Sequence, residues 1–132
     1  KVIWFHTEDR KVHPREGILR LLAKGISLDA VVCYNDQIAM QIIPALASRG
    51  IRVPEDISVT GYDNSCMAMG DGFHLTTIVH PQEKLGEMAA QLLLSLLRGE
   101  TLQPEQSKIL IQPELVVGNS CCGIFTSKYT TC

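Results

Sequence analysis

The chain alternates short apolar runs with longer segments of helical period. Runs of β-strand length occur near residues 2–6, 30–34, 57–62, 75–80 and 108–117. The first three runs are almost continuously apolar, which predicts strands that are buried on both faces of a sheet.

Between these strands, three longer segments carry apolar residues at the spacing of an amphipathic helix. They predict helices over about residues 14–24, 36–49 and 81–98, each followed by a glycine. The third helix has one apolar face, which is formed by Leu85, Met88, Ala89, Leu92 and Leu96. Because strands alternate with helices, the sequence predicts an α/β fold in which helices flank a parallel sheet.

Polar side chains follow four of the predicted strands at the point where each strand ends. They are His6-Thr7-Glu8, Tyr34-Asn35-Asp36, Tyr62-Asp63-Asn64 and His80. Because ligands of open parallel sheets bind beyond the carboxyl ends of the strands, these groups are expected to share one edge. Carboxylates, amides and an imidazole suit a neutral ligand with many hydroxyl groups, whereas a phosphate would require Arg, Lys or a glycine-rich loop.

Each of these polar groups also has a purely structural explanation. Asn35 or Asp36 fits the N-cap of the second helix, since a side-chain oxygen there accepts a bond from the first turn. Asp63 and Asn64 fit a turn, and His80 fits a cap of the third helix. Taken singly, the structural explanations are favoured, and only the convergence of the strand ends at one edge favours a ligand site.

Composition limits the classes of protein to consider. The chain has 132 residues, of which 45% are hydrophobic, and this is enough for one globular domain with its own core. Its net charge is -2, and its 12 lysines and arginines are scattered. We therefore expect a soluble segment that binds neither nucleic acid nor a membrane by itself.

The cysteines predict neither a metal site nor a disulfide framework. There are five of them, namely Cys33, Cys66, Cys121, Cys122 and Cys132. Their spacing matches no zinc motif, and the odd number with one vicinal pair favours reduced thiols in a cytoplasmic protein. The chain opens on a predicted strand without an initiator Met, which favours a fragment of a longer protein. No cofactor-binding loop is present in the sequence, and no cofactor is expected.

Four motifs in order along the chain resemble one family. They are "AVVCYNDQIA" (30–39), "VPEDISVTGYD" (53–63), "LTTIVHPQEKLG" (75–86) and "PELVV" (113–117). Together they resemble the C-terminal half of the effector-binding domain of LacI/GalR-type bacterial transcriptional repressors, over about residues 1–120. The segments "VCYNDQIA" and "VHPQEKLGEMAA" look most like the arabinose-responsive members, which join this domain to a GntR-type winged helix.

This resemblance implies a fold and a site. The fold would be the C-terminal subdomain of a type I periplasmic-binding-protein-like domain, with the helix at 81–98 belonging to the other subdomain. The N-terminal subdomain and the DNA-binding domain would lie outside the chain, and 121–132 would be a tail. Asn35 and Asp63 match the effector-contacting Asn and Asp of the family. His80 stands where many members carry a polar residue such as Gln, and its role stays open.

The resemblance also implies partners. The effector would be a small sugar, with L-arabinose favoured, and operator DNA would be bound through a domain that this chain does not contain. The whole protein would be a homodimer.

Two other functions remain open at this point. A periplasmic sugar-binding transport protein has the same fold, although unpaired cysteines disfavour it. An enzyme could use His80 as a base with Asp63 as its partner, but no nucleophile motif, metal set or cofactor loop accompanies that pair. We therefore do not expect an enzyme.

Overall fold

The computed structural model describes residues 13–65, 72–101 and 108–122. Within these ranges the chain forms three helices and four short strands. They are α1 (Pro14–Ala23), β1 (Ala30–Val32), α2 (Asp36–Ala47), β2 (Ser58–Thr60), β3 (Thr77–Val79), α3 (Gln82–Leu97) and β4 (Glu114–Val116). The three predicted helices are confirmed to within two residues at each end. Four predicted strands are present but shorter than expected, and the strand predicted at 2–6 lies outside the described residues.

The strands form two pairs that are linked to each other. β1 and β2 are parallel, with Val31 opposite Val59. β3 and β4 are antiparallel, with Ile78 opposite Leu115. Two further parallel pairings connect the β2 region to the β3 region. The predicted parallel arrangement is therefore confirmed for β1, β2 and β3 but is wrong for β4.

The direction of β4 follows from the position of α3. A parallel crossover requires the connecting helix to pack back on the sheet and return the chain to the start of the preceding strand. No residue of α3 is buried, so this helix does not pack back in that way. β4 therefore enters the sheet from the end at which β3 leaves it, and runs in the opposite direction.

The hydrophobic core lies between α1, α2 and one face of the β1–β2 pair. Its buried residues are Ile18, Cys33, Ala39, Ile42, Ala45, Leu46, Ile57, Val59 and Leu75. Leu46 and Val59 are the largest apolar side chains that are fully buried. Burial of each is worth about 1.5–3 kcal/mol, so Leu46, in the last turn of α2, and Val59, in β2, help to hold the helix against the sheet.

The other face of β1 is open among the described residues. Val32 is 83% exposed and Tyr34, just beyond the strand, is 86% exposed. The expectation that β1 is buried on both faces is therefore wrong for the described part of the chain. The reason is that α1 and α2 contribute to the same core, while α3 contributes no buried residue that could cover the second face.

α3 carries an apolar surface that the rest of the described chain does not cover. Met88 and Leu92 are half-buried, and Leu85 and Leu96 are exposed by 41% and 52%. The apolar face predicted from the sequence is thus present on α3.

Among residues 13–65, 72–101 and 108–122, no helix has the length and apolar character of a membrane span.

Candidate functional site

The carboxyl ends of β1, β2 and β3 are joined by backbone hydrogen bonds. The N–H of Asp36 donates to the carbonyl of Tyr62 at 3.0 Å, and the N–H of Asp63 donates to the carbonyl of Ile78 at 2.9 Å. The three polar segments that follow these strands therefore lie side by side, as predicted. The fourth segment, His6 to Glu8, lies outside the described residues.

Asn35 is the N-cap of α2. Its Oδ1 accepts a hydrogen bond from the backbone N–H of Ile38 at 3.0 Å. This confirms the structural explanation that the sequence left open, and it also fixes the orientation of the amide. The cap uses the amide oxygen and not the amide nitrogen.

Asp63 lies in a turn of uncommon backbone geometry. Its φ is 91°, and that of Asn64 is 50°, so two consecutive residues other than glycine occupy the left-handed region. Asp63 Oδ1 accepts from the N–H of Ser65 at 3.0 Å, as expected for a turn built by an aspartate. Such a conformation costs about 1–3 kcal/mol for each residue and persists only where the surrounding structure fixes it.

The surrounding structure here is centred on Asp36, which is fully buried. Its Oδ1 accepts from the Thr77 hydroxyl at 2.6 Å, and its Oδ2 accepts from the N–H of Ser65 at 2.9 Å. The Thr77 oxygen in turn accepts from the N–H of Asn64 at 3.4 Å. We call these four residues the Asp36 network. It links the start of α2, the turn that carries Asp63, and β3.

Gly61 provides the space for this network. A Cβ atom at Gly61 would overlap Asp36 Oδ1 and would lie 2.8 Å from Leu75 Cδ2. Real Cβ atoms do not approach other atoms so closely in packed interiors, so only glycine fits unless Asp36 moves. The glycine of the "GYD" motif is therefore explained by a buried carboxylate from another strand end.

His80 lies beside Tyr62 at the same edge. Their ring centroids are 5.9 Å apart and the rings are tilted by 55°, a favourable arrangement for two aromatic rings. The idea that the His80 side chain caps α3 is wrong, because the N-cap is Pro81 and no side chain caps it. The His80 carbonyl instead accepts from the N–H of Gln82. The imidazole can therefore contribute to the edge.

The charge of Asp36 also affects its neighbour Cys33. Burial, and to a smaller extent the negative charge of Asp36, together raise the pKa of the Cys33 thiol from 9.0 to about 12. At neutral pH this thiol is protonated, which makes it a poor nucleophile. Within the described residues, no group of three His, Cys, Asp or Glu side chains is arranged to hold a metal ion.

Residues 3–121 match the periplasmic binding protein-like domain family. The chain belongs to this family. It is 36% identical over 124 residues to an arabinose metabolism transcriptional repressor of Halalkalibacterium halodurans. That alignment covers 90% of this chain and 33% of the relative. The chain thus spans about a third of the length of the curated relatives it matches.

Solved structures show the same fold. The Lac repressor dimer, bound to operator and the anti-inducer ONPF, matches with a TM-score of 0.71 and 29% identity, covering 83% of this chain and 37% of that one. A LacI family transcriptional regulator from Arthrobacter sp. FB24, in complex with lactose, matches with a TM-score of 0.70 and 29% identity, covering 82% of this chain and 41% of that one. The resemblance to LacI-type repressors and the α/β fold are confirmed. The names of these relatives describe transcriptional repressors and a transcriptional regulator rather than enzymes, which agrees with the expectation of no enzymatic activity.

Proposed function

We propose that this chain is the sugar-binding part of the effector-sensing domain of a cytoplasmic bacterial transcriptional repressor, and that L-arabinose is its effector. The observation that carries the proposal is the edge at which backbone bonds join the segments that contain Asn35 and Asp63, and at which His80 lies beside Tyr62. The name of the relative from Halalkalibacterium halodurans supports the choice of arabinose. Lactose in the Arthrobacter regulator supports a sugar more generally.

Each of the three side chains has a role in this proposal. The Asp63 carboxylate accepts hydrogen bonds from sugar hydroxyls, and the Asn35 amide nitrogen donates one. His80, beside Tyr62, presents an imidazole that exchanges a hydrogen bond with a third hydroxyl. A neutral sugar fits such a set because none of the three groups supplies the positive charge that a phosphorylated ligand needs.

The proposal includes the parts of the protein that lie outside this chain. Residues 1–120 form the C-terminal subdomain together with the helix at 81–98, which belongs to the N-terminal subdomain, and 121–132 form a tail. The exposed apolar face of α3 supports this division, because such a face requires a partner surface. Sugar binding between the subdomains changes how they close, and in a homodimer this change alters the affinity of a separate domain for operator DNA.

Calorimetry on the full-length protein tests the site. L-arabinose is expected to bind and D-arabinose, its mirror image, to bind much more weakly. Asp63→Ala should weaken L-arabinose binding about tenfold to a hundredfold, since a hydrogen bond to a charged group is worth about 1.5–3 kcal/mol. The matched control is Asp56→Ala, which removes an aspartate that pairs with Arg52 in an exposed ion pair. Equal affinities for Asp63→Ala and Asp56→Ala would rule out the site.

Operator titrations test the coupling. Linkage requires the sugar and operator DNA to shift each other's affinity by the same factor, which is typically about 5- to 150-fold. We therefore expect the operator dissociation constant to change by such a factor at saturating sugar. An unchanged operator affinity, with sugar binding intact, would reject the regulatory role of that sugar.

A further inference from the structure

The turn that carries Asp63 is held from both of its ends by one residue. Before the turn, the Tyr62 carbonyl accepts from the backbone N–H of Asp36. After the turn, the Ser65 N–H donates to Asp36 Oδ2. Asp63, at φ 91°, lies between these two attachments. Backbone and side chain of Asp36 thus fix the two residues that flank the uncommon conformation.

Asp63 itself shares one of these attachments. The N–H of Ser65 is 2.9 Å from Asp36 Oδ2 and 3.0 Å from Asp63 Oδ1, so both carboxylates accept from the same donor. The position of the Asp63 carboxylate is therefore defined relative to Asp36. Thr77 strengthens this arrangement, because its hydroxyl donates to Asp36 Oδ1 while its oxygen accepts from the N–H of Asn64.

A buried carboxylate of this kind has little freedom to change partners. Asp36 is fully buried, and losing the hydrogen bonds from the Thr77 hydroxyl and the Ser65 N–H would leave its charge less well compensated in the interior. The same burial that makes Asp36 inaccessible to a ligand thus makes the turn rigid. A rigid turn holds the accessible carboxylate of Asp63 in place before any ligand arrives.

We infer that Asp36 is the positioning residue of the sugar site, which acts through the turn at 62–65 and holds Asp63 in its ligand-binding orientation. This inference rests on the proposed function of the edge, where Asp63 is the residue that contacts sugar. Asp36 raises sugar affinity by keeping most molecules in the turn conformation that binds sugar. The apparent dissociation constant rises as the fraction of molecules in this binding-competent conformation falls.

The main test is a double-mutant cycle in the full-length protein, with L-arabinose as the probe. Asp36→Asn keeps the shape of the side chain but loses the charge and one of its two acceptors. We expect about tenfold weaker binding, from a fall of the competent fraction to about a tenth. In an Asp63→Ala background the same change should alter affinity by less than about twofold, because a positioning residue has no effect once the group it positions is gone.

Two neighbouring threonines on β3 provide a matched pair. Thr77→Val removes the hydroxyl that joins Asn64 to Asp36, and should weaken binding, whereas Thr77→Ser should keep wild-type affinity. Thr76→Val removes the adjacent buried hydroxyl, which accepts from the N–H of Gly118 and lies outside the Asp36 network. Thr76→Val should lower the melting temperature and leave affinity unchanged. This contrast separates positioning from general stability, and it remains informative if Asp36→Asn does not fold.

Hydrogen exchange without sugar gives a measurement that is independent of binding. The Ser65 amide should exchange at least about tenfold faster in Thr77→Val than in Thr76→Val, since only the former opens the turn. Equal exchange rates of the Ser65 amide in the two variants would overturn the inference, and this outcome does not depend on which sugar the protein binds. Equal losses of affinity from Asp36→Asn with and without Asp63 would overturn it as well. If Asp63→Ala itself binds normally, the proposed sugar site fails, and the inference fails with it.

Discussion

Gly61→Ala is expected to destabilise the protein strongly, because the site of the missing methyl group is already occupied. An added Cβ would overlap Asp36 Oδ1, would lie 2.8 Å from Leu75 Cδ2, and would lie 3.1 Å from Asp36 Cγ. Asp36 and Leu75 are both buried, so neither can move into solvent without loss. The carboxylate must shift to accommodate the methyl group.

The size of the effect follows from two contributions. Inserting a methyl group into a packed interior costs about 1–3 kcal/mol. Displacing Asp36 also weakens the bonds from the Thr77 hydroxyl and the Ser65 N–H, and a hydrogen bond to a charged group is worth about 1.5–3 kcal/mol. If the shift preserves one of these two bonds, the free energy of unfolding should fall by about 2.5–6 kcal/mol in total.

Urea unfolding of the wild-type and variant proteins measures this loss as a lower midpoint at an unchanged slope. The control is Gly25→Ala. Gly25 has a φ of 69° and no atom within 4 Å of an added Cβ. Its replacement therefore costs only the left-handed conformation, about 1–2 kcal/mol. If Gly61→Ala is no more destabilising than Gly25→Ala, the steric reasoning is wrong.

Three further predictions concern other parts of the chain. The folded protein retains a proton on Cys33 that the unfolded chain loses above pH 9.0. The free energy of unfolding should therefore fall by about 1.4 kcal/mol by pH 10. This contribution should be absent in Cys33→Ala. If urea titrations show the same change of unfolding free energy with pH in the wild type and in Cys33→Ala, the prediction is wrong. Asn35→Ala should lower stability by about 1 kcal/mol, whereas Asn35→Asp keeps an acceptor for Ile38, and equal melting temperatures would show that the cap is unimportant. The isolated 132-residue chain should self-associate through the apolar face of α3. Light scattering should show less self-association for Leu92→Glu than for the wild-type chain. A monodisperse wild-type monomer would contradict the prediction that this face drives association.

The helices were predictable from the sequence because their signals are local. α1, α2 and α3 each have an apolar period and a glycine just beyond the last turn, and both signals are contained within one segment. β4 was predicted as a strand but not as an antiparallel one. Its direction depends on whether α3 packs on the sheet, and the amphipathic pattern of α3 does not say which surface covers its apolar face.

Part of the candidate site was predictable for the same kind of reason. Asn35, Asp63 and His80 could be found because each directly follows an apolar run. The role of Asp36 could not, since a residue at the start of a helix has an ordinary explanation there. Its partners Ser65 and Thr77 are 29 and 41 positions away, and only the pairing of three strand ends brings them together.

The structural and ligand-binding explanations of these residues are compatible rather than competing. Asn35 caps α2 with Oδ1, and Asp63 stabilises its own turn with one carboxylate oxygen. Each bond removes rotational freedom from the side chain, so less conformational entropy remains to be lost when a ligand binds. At this edge, residues that readily form caps and turns stand at the ends of strands. One polar atom of each side chain makes the cap or turn bond, and this bond orients the other polar atom of the same side chain. The frequency of asparagine and aspartate in caps and turns is then no argument against the proposed binding role at this edge, because the cap and the turn orient the groups that are proposed to bind the ligand.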